Sequence, residues 1–138
     1  MLRKTFVDTL FVVALTNDRD QYHEKALELA AEYSGKSLIV TDAVLLEIGN
    51  TLSSRFREQA IKAIEGFVES DEVEVVRLNQ FLFEQAFEIY KKHADKTWGL
   101  VDCISFVVMR EYGVIDVLTC DKHFVQAGFR ALMLDLEN

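Results

Sequence analysis

Three acidic residues stand alone within apolar stretches of the chain. Each is the only charged residue of its segment: Asp8 in residues 5–17, Glu47 in residues 43–54 and Asp102 in residues 97–109. Burying a carboxylate costs several kcal/mol unless a partner compensates its charge, and these segments contain no lysine or arginine. One divalent cation could compensate all three, because Mg²⁺ favours oxygen ligands. The pattern therefore predicts a metal site.

A fourth acid, Asp121, follows an apolar segment at residues 114–119 and lies in the polar turn C-D-K-H. Asp8 also follows an apolar segment, so both acids would lie at the carboxyl ends of strands. Glu47 and Asp102 would lie in the first turns of helices, which pack over those same strand ends. We therefore expect the four carboxylates to converge.

The elements that would position these acids alternate between strands and helices. Short apolar runs predict strands at residues 5–8, 37–40, 73–78, 114–119 and 131–134. Helical spacing predicts helices from residue 9 and at residues 20–34, 42–57, 58–70, 79–94, 100–112 and 121–127, with Gly35 and Gly113 as stops. This order predicts an α/β fold, a three-layer α/β/α sandwich with a central five-stranded parallel sheet. Ligands bind at the carboxyl ends of such sheets.

Composition favours one soluble domain over residues 1–138, because there is no proline, repeat or linker. No apolar stretch approaches the roughly 20 residues of a membrane span. The N-terminus resembles a signal peptide, but Asp8 interrupts its apolar run and no cleavage site follows, so we expect a cytoplasmic protein without membrane contact. Cys103 and Cys120 form no CxxC pair and are expected to be free thiols.

The net charge of −8 disfavours broad, non-specific binding to nucleic acid, because phosphate contacts favour basic surfaces. It does not exclude a metal nuclease, since bound cations would neutralise part of the acid cluster. Substrate phosphates would still need cations at the rim. The candidates for that rim are Arg55, Arg57, Lys96 and Lys122, each of which could equally be plain surface charge.

Each candidate also has a structural interpretation. Asp8 and Asp121 could be helix N-caps, and Glu47 could be an exposed helix residue. Asp102 has the weakest alternative, because its helix is apolar nearly all round. Several other residues are expected to be structural: Asp42 as a cap, Asp95 as a helix-end residue, Asp116 as a solvent-facing residue, His23, His93 and His123 as surface or hydrogen-bonded histidines, and Phe83, Phe87 and Tyr90 as a core stripe. His123, near Asp121, could also touch a substrate.

Four segments, in order, resemble the PIN-domain nucleases, and in particular toxin ribonucleases of the VapC type. They are F-V-D-T, T-D-A-V-L-L-E-I-G-N, D-K-T-W-G-L-V-D-C-I-S-F and L-T-C-D-K-H-F. The resemblance implies that the catalytic metal ligands are the four acids Asp8, Glu47, Asp102 and Asp121. It also implies that Thr119 is the site hydroxyl and that Asn50 is a polar lining residue. Gly99 departs from the serine of many relatives, with a small local effect expected.

The resemblance further implies a Mg²⁺- or Mn²⁺-dependent endoribonuclease, the toxin of a type II toxin–antitoxin pair. Its substrate would be RNA, its products would carry a 5′-phosphate and a 3′-hydroxyl, and its partners would be a cognate antitoxin and a second copy of the chain. Two alternatives remain at this point. A catalytically idle interaction protein would keep the fold but not the reaction. A phosphoacceptor signalling domain fits poorly, because the third strand is followed by R-L-N instead of an acceptor aspartate.

Overall fold

The computed structural model of the chain describes residues 3–134. Its elements are, in chain order, β1 (Thr5–Val7), α1 (Thr9–Thr16), α2 (His23–Glu32), β2 (Leu38–Thr41), α3 (Asp42–Thr51), α4 (Arg57–Glu69), β3 (Val73–Val76), α5 (Gln80–Lys92), α6 (Leu100–Glu111), β4 (Asp116–Leu118), α7 (Lys122–Gln126) and β5 (Arg130–Ala131). Within the described residues, no helix is both long and apolar enough to cross a membrane.

The five strands form one parallel sheet in the order β3-β2-β1-β4-β5. Phe6 of β1 is in register with Ile39 of β2 on one side and Val117 of β4 on the other. Because crossovers between parallel strands are right-handed, this strand order puts α1 to α4 on one face and α5 to α7 on the other, which confirms the predicted three-layer α/β/α sandwich. The strand order reverses direction between β1 and β4, so the crevice where such sheets bind ligands lies at their carboxyl ends.

The core is densest where α6 crosses the central strands. Residues 103–109 of α6 are all buried, which explains why this helix reads as apolar nearly all round. Phe106 packs edge-on against Phe124 of α7, with ring centroids 5.1 Å apart, and Phe6 of β1 lies 6.5 Å from Phe124. Because α6 and α7 are locked to β1 in this way, the residues at their N-termini are held over the same strand ends.

The predicted stop of α6 at Gly113 is confirmed. Gly113 has φ +66°, a left-handed conformation that glycine adopts without steric cost. Its N–H donates to Arg110 O, and the N–H of Val114 donates to Met109 O at 2.8 Å. These two bonds form a Schellman motif that satisfies the last carbonyls of the helix.

Several predicted boundaries were too generous. The helix predicted over residues 42–57 ends at Thr51, because Leu52 is buried in a turn and α4 begins only at Arg57. The strand predicted at residues 131–134 is β5, Arg130–Ala131, since the N–H of Leu134 already donates to Ala131 O in a turn.

The aromatic stripe of α5 is exposed, so the prediction that it forms core is wrong. Phe83, Phe87 and Tyr90 are 41%, 39% and 45% exposed, and their rings stack along the helix with centroids 5.9 Å and 6.3 Å apart. The buried side of α5 is instead the stripe containing Leu82 and Ala86. Helix α5 therefore has two apolar stripes, and only the second packs on the core.

Candidate active site

Asp8 lies at the end of β1 and is only 3% exposed. Its N–H donates to Leu118 O of β4, which extends the pairing of the two central strands by one residue. Asp8 is also the N-cap of α1, where its carboxylate accepts from the N–H of Leu10 at 3.5 Å. The capping interpretation is thus confirmed for this residue, and a 3.5 Å capping bond leaves most of the carboxylate's bonding capacity for other partners.

Thr119 joins Asp8 to Asp121. Its hydroxyl donates to Asp8 Oδ2 at 2.7 Å and accepts from the N–H of Asp121 at 3.1 Å. The residue is fully buried. While Asp8 is ionised its carboxylate can only accept, and a backbone N–H can only donate, so the direction of both bonds is then fixed. Thr119 therefore holds the end of β4 and one oxygen of Asp8 in a set geometry.

Asp121 caps α7, accepting from the N–H of His123 at 2.9 Å. Asp102, in the first turn of α6, accepts from the N–H of Gly99 at 3.0 Å. Glu47 lies on α3 and accepts a hydrogen bond from the Thr9 hydroxyl of α1. Each acid is thus anchored by a donor at a helix start, and anions are stabilised near helix N-termini.

The four acids line one cleft of about 230 Å³. The remaining lining residues are Thr9, Leu10, Thr51 and His123. Among the described residues, those lining this cleft include no lysine or arginine. A strongly negative pocket without its own counter-charge suits a cation, which agrees with the predicted convergence.

Two of the acids hold their protons more tightly than usual. Burial raises the pKa of Asp8 from 3.8 to about 7; the bond from Thr119 opposes this rise, and the charges of Asp102, Asp121 and Glu47 add to it. Burial also raises the pKa of Asp102, with Asp121 adding to the rise and the Gly99 N–H and His123 opposing it. A divalent cation would reverse both shifts, because it favours the ionised carboxylates.

His123 is a site residue that the sequence interpretation underrated. Its Nδ1 lies 3.1 Å from Asp102 Oδ2 and 3.2 Å from Asp121 Oδ1. Its Nε2 lies 2.9 Å from the Thr97 hydroxyl. These contacts join α7 to residues 21 and 26 positions earlier in the chain, so local spacing could not reveal them. The available signal was its position in the first turn of the helix that Asp121 caps.

The predicted rim residues, and Asn50, which was predicted to line the site, lie outside the cleft lining. Asn50, Arg55, Arg57 and Lys122 are all exposed. Thr51, one position beyond Asn50, lines the cleft instead. Arg55 lies over the ring of Phe56, and Lys96 pairs with Asp95 at 3.1 Å. A role for any of them requires a substrate that extends beyond the cleft.

The two cysteines and a second cleft are the other places where chemistry could occur. Cys103 and Cys120 are free, and burial raises the pKa of each thiol to about 11, which keeps both protonated and unreactive at neutral pH. A larger cleft of about 500 Å³ lies beside Arg3, Lys4 and Tyr112. Lys4 there is paired with Glu74. We therefore place the chemistry in the smaller, acid-lined cleft.

A comparison with protein families identifies the family to which the chain belongs. The family model described as "PIN domain" matches residues 5–130, which is most of the chain and includes all four acids. The chain belongs to the PIN-domain family. The parallel sheet and the acid cluster at its carboxyl edge are therefore features of a PIN domain.

Relatives of this PIN domain are found among curated proteins and solved structures. The "23S rRNA-specific endonuclease VapC20" of Mycobacterium tuberculosis is 34% identical over 124 residues, covering 90% of this chain and 94% of the relative. The crystal structure of M. tuberculosis VapC20, described as a sarcin-ricin loop cleaving toxin, superposes with a TM-score of 0.81 at 33% identity, covering 91% and 95% of the two chains. A DNA-bound VapBC structure from Salmonella typhimurium gives a TM-score of 0.61 at 18% identity, covering 95% and 97%, which shows the shared fold.

Proposed function

We propose that this PIN domain is a divalent-metal-dependent endoribonuclease. The observation that carries the proposal is the convergence of Asp8, Glu47, Asp102 and Asp121 on one cleft at the carboxyl ends of β1 and β4. A relative at 34% identity is described as an RNA endonuclease, which supports RNA as the substrate class. Without bound cations, the negative cleft would repel RNA phosphates. The proposal that the cleft cleaves RNA therefore requires that it also binds metal ions.

The donor set fits a hard divalent ion. Carboxylate oxygens dominate the cleft, and a cluster of Asp102, Asp121 and His123 offers ligand atoms within 4.8 Å of one another. We propose that the four acids hold Mg²⁺ or Mn²⁺. When bound, such an ion polarises a phosphoryl oxygen and lowers the pKa of a water molecule.

The chain's own residues would prepare the site for hydrolysis. Asp8 must lose its proton before it can bind a cation, and its pKa of about 7 makes this loss inexpensive at neutral pH. Thr119 keeps Asp8 Oδ2 in place while the proton leaves. In the reaction, a water oxygen bonds to phosphorus, the P–O3′ bond breaks, and the water's proton ends on the 3′ oxygen. The products are a 5′-phosphate and a 3′-hydroxyl.

We propose that the RNA is contacted beyond the cleft by a small cationic rim. Lys122 directly follows Asp121, while Arg55 and Arg57 follow the helix of Glu47. Asn50 is exposed on the same helix. Because the chain carries a net charge of −8, contacts confined to these few residues favour a specific RNA over RNA in general. A ribosomal RNA stem-loop is the first substrate to test, since VapC20 is described as cleaving the sarcin-ricin loop.

The test is an RNA cleavage assay with Mg²⁺ or Mn²⁺ on the wild type and the Asp102→Asn variant. Asparagine keeps the size and the hydrogen bond from Gly99 but removes the charge, so we expect cleavage to fall at least a hundredfold while the melting temperature changes little. EDTA should abolish wild-type cleavage. Equal cleavage by both proteins would disprove the metal-site proposal. Gly99→Ser is the matched control, because an added Cβ meets only Asp102 Oδ2 at 3.8 Å, an ordinary contact.

The two alternatives receive no support from the structure. An idle interaction protein would not need four anchored carboxylates in one cleft. A phosphoacceptor domain would need its acceptor after β3, but β3 is the edge strand and lies two strands away from Asp8 on β1.

We further propose that the protein is the toxin of a type II pair, inhibited by a cognate antitoxin and active in the cytoplasm as a homodimer. VapC20 is described as a toxin, which supports the first part. The exposed aromatic stripe of α5 supports self-association. We also propose that the chain is one nuclease domain; the predicted span of residues 1–138 includes residues 1–2 and 135–138, which lie outside the described residues.

A further inference from the structure

His123 differs chemically from every other residue of the cleft. Among the described residues that line the cleft, it alone offers a side-chain nitrogen, whereas the others offer carboxylate or hydroxyl oxygens or an apolar side chain. Its side chain is 25% exposed, compared with 17% for Asp102 and 20% for Asp121. The imidazole is therefore as accessible to a small ion as the two carboxylates beside it.

The spacing of these donor atoms matches that of ligands around one ion. Two ligands on adjacent corners of an octahedron with bonds of about 2.1 Å lie about 3.0 Å apart. His123 Nδ1 lies 3.1 Å from Asp102 Oδ2 and 3.2 Å from Asp121 Oδ1. All three donor atoms lie within 4.8 Å of one another. An ion could thus be shared by the three side chains with only small movements.

Thr97 can hold the imidazole in the form that a metal requires. A ligating nitrogen needs a free lone pair, so Nδ1 must be unprotonated and Nε2 must carry the proton. The Thr97 hydroxyl lies 2.9 Å from Nε2 and can accept that N–H. In the metal-free site the same hydroxyl can rotate to donate to Nε2, which lets Nδ1–H donate to the carboxylates. Ligating histidines commonly have such a partner on their second nitrogen.

We propose that His123 is a ligand of the metal ion, so that a nitrogen joins the carboxylate oxygens around it. This inference rests on the proposed function, because it concerns the same ion. Mg²⁺ prefers oxygen ligands, whereas Mn²⁺ suits carboxylates and, as a first-row transition ion, also accepts an imidazole nitrogen more readily than Mg²⁺ does. The site therefore selects Mn²⁺ over Mg²⁺, and His123 is the residue responsible for the preference.

The experiment measures Mn²⁺ binding directly, in the full chain without an affinity tag. The electron paramagnetic resonance signal of free Mn²⁺ gives the affinity, and its pulsed form detects coupling between bound Mn²⁺ and a nitrogen nucleus. We expect nitrogen coupling in the wild type. In His123→Asn the coupling should vanish and Mn²⁺ affinity should fall about tenfold or more. Mg²⁺ affinity, measured by competition, should change less than Mn²⁺ affinity.

Two further variants make the result specific. His23→Asn removes a histidine whose Nδ1 bonds to Ala14 O outside the cleft, so it should retain the coupling. Thr97→Val keeps the His123 ring but removes the hydroxyl, so the coupling should remain while Mn²⁺ binds more weakly. Thermal melts of all variants confirm that they are folded before their affinities are compared.

The negative outcomes separate this inference from the proposed function. Mn²⁺ bound without nitrogen coupling, or coupling that survives in His123→Asn, would overturn the ligand role of His123 and leave the acid site intact. A wild type that binds no Mn²⁺ would overturn both the inference and the metal dependence on which it rests.

Discussion

The fold favours the protonated form of the Asp8 carboxyl, whereas binding of a cation requires the ionised form. Its burial raises its pKa from 3.8 to about 7, so the folded, metal-free protein binds this proton more tightly than the unfolded chain does. The resulting stability is fully present below about pH 4 and is lost as pH rises through about 7. At about 1.4 kcal/mol per unit of pKa, the loss amounts to about 4 kcal/mol at most. Without a bound cation, ionised Asp8 therefore destabilises the fold at the pH where the enzyme is proposed to work.

This predicts a specific pH dependence in EDTA. The melting temperature of the wild type should fall between about pH 5 and pH 8 relative to Asp8→Asn, because asparagine cannot ionise but still caps a helix. Differential scanning fluorimetry across that range measures the gap. Adding Mn²⁺ at pH 8 should raise the wild-type melting temperature more than that of the variant. Parallel pH curves for the two proteins in EDTA would contradict the buried, metal-sensitive Asp8.

Thr119 is expected to matter through Asp8 and Asp121, without binding the ion itself. Thr119→Val removes the hydroxyl that donates to Asp8 Oδ2 and accepts from the Asp121 N–H, so both acids lose a fixed neighbour. Breaking the bond leaves a partly buried N–H without its partner, which costs up to about 1–3 kcal/mol. We expect Mn²⁺ affinity to fall about tenfold. Thr119→Ser restores the hydroxyl and should recover most of the affinity; failure of serine to do so would point to lost packing instead.

At the scale of single elements, backbone conformation distinguishes the glycine that ends α6 from the glycine inside α4. Gly113 has φ +66°, so Gly113→Ala forces a side chain into the left-handed region and should cost about 1 kcal/mol. Gly66 in the middle of α4 has open space around its Cβ position, and Gly66→Ala should stabilise the fold by up to about 1 kcal/mol. Urea unfolding of the two variants measures both effects. Changes of the same sign would show that backbone conformation is not the deciding factor.

Strands and helices could be predicted from the sequence where the spacing of apolar residues allowed a single interpretation. The strands and α6 followed from nearly continuous apolar runs, and an isolated charge such as Asp102 within one of these runs indicated the candidate site. Helix α5 was misinterpreted because it has two apolar stripes, and periodicity cannot say which of them meets the core. The end of α3 was overestimated because Leu52 continues the apolar pattern into a turn. His123 was underrated because its contact with Asp102 depends on how α7 packs against α6.

At the scale of the whole molecule, the uncovered aromatic face of α5 argues for a second copy of the chain. Phe81, Phe83, Phe87 and Tyr90 expose between 39% and 62% of their surfaces on one helix, and large apolar patches of this kind usually mark an interface. Glu88 pairs with Lys91 within the helix at 2.8 Å, while Glu84 in the N-terminal half and Lys92 at the C-terminal end carry opposite charges. An antiparallel pairing of two α5 helices would bring these opposite charges together.

If the protein forms the proposed dimer, Phe87→Glu is expected to convert it to a monomer, because this change places a charge at the centre of the stacked rings. Sedimentation equilibrium of the wild type and the variant measures the change. Ile115→Glu is the matched control, since Ile115 is 57% exposed immediately before β4, outside α5, and its replacement should leave the dimer intact. The acid cleft is formed within one chain, so the Phe87→Glu monomer should still bind Mn²⁺. A wild type that is monomeric at every concentration, or a Phe87→Glu protein that still dimerises, would remove α5 as the interface without affecting the proposed metal site.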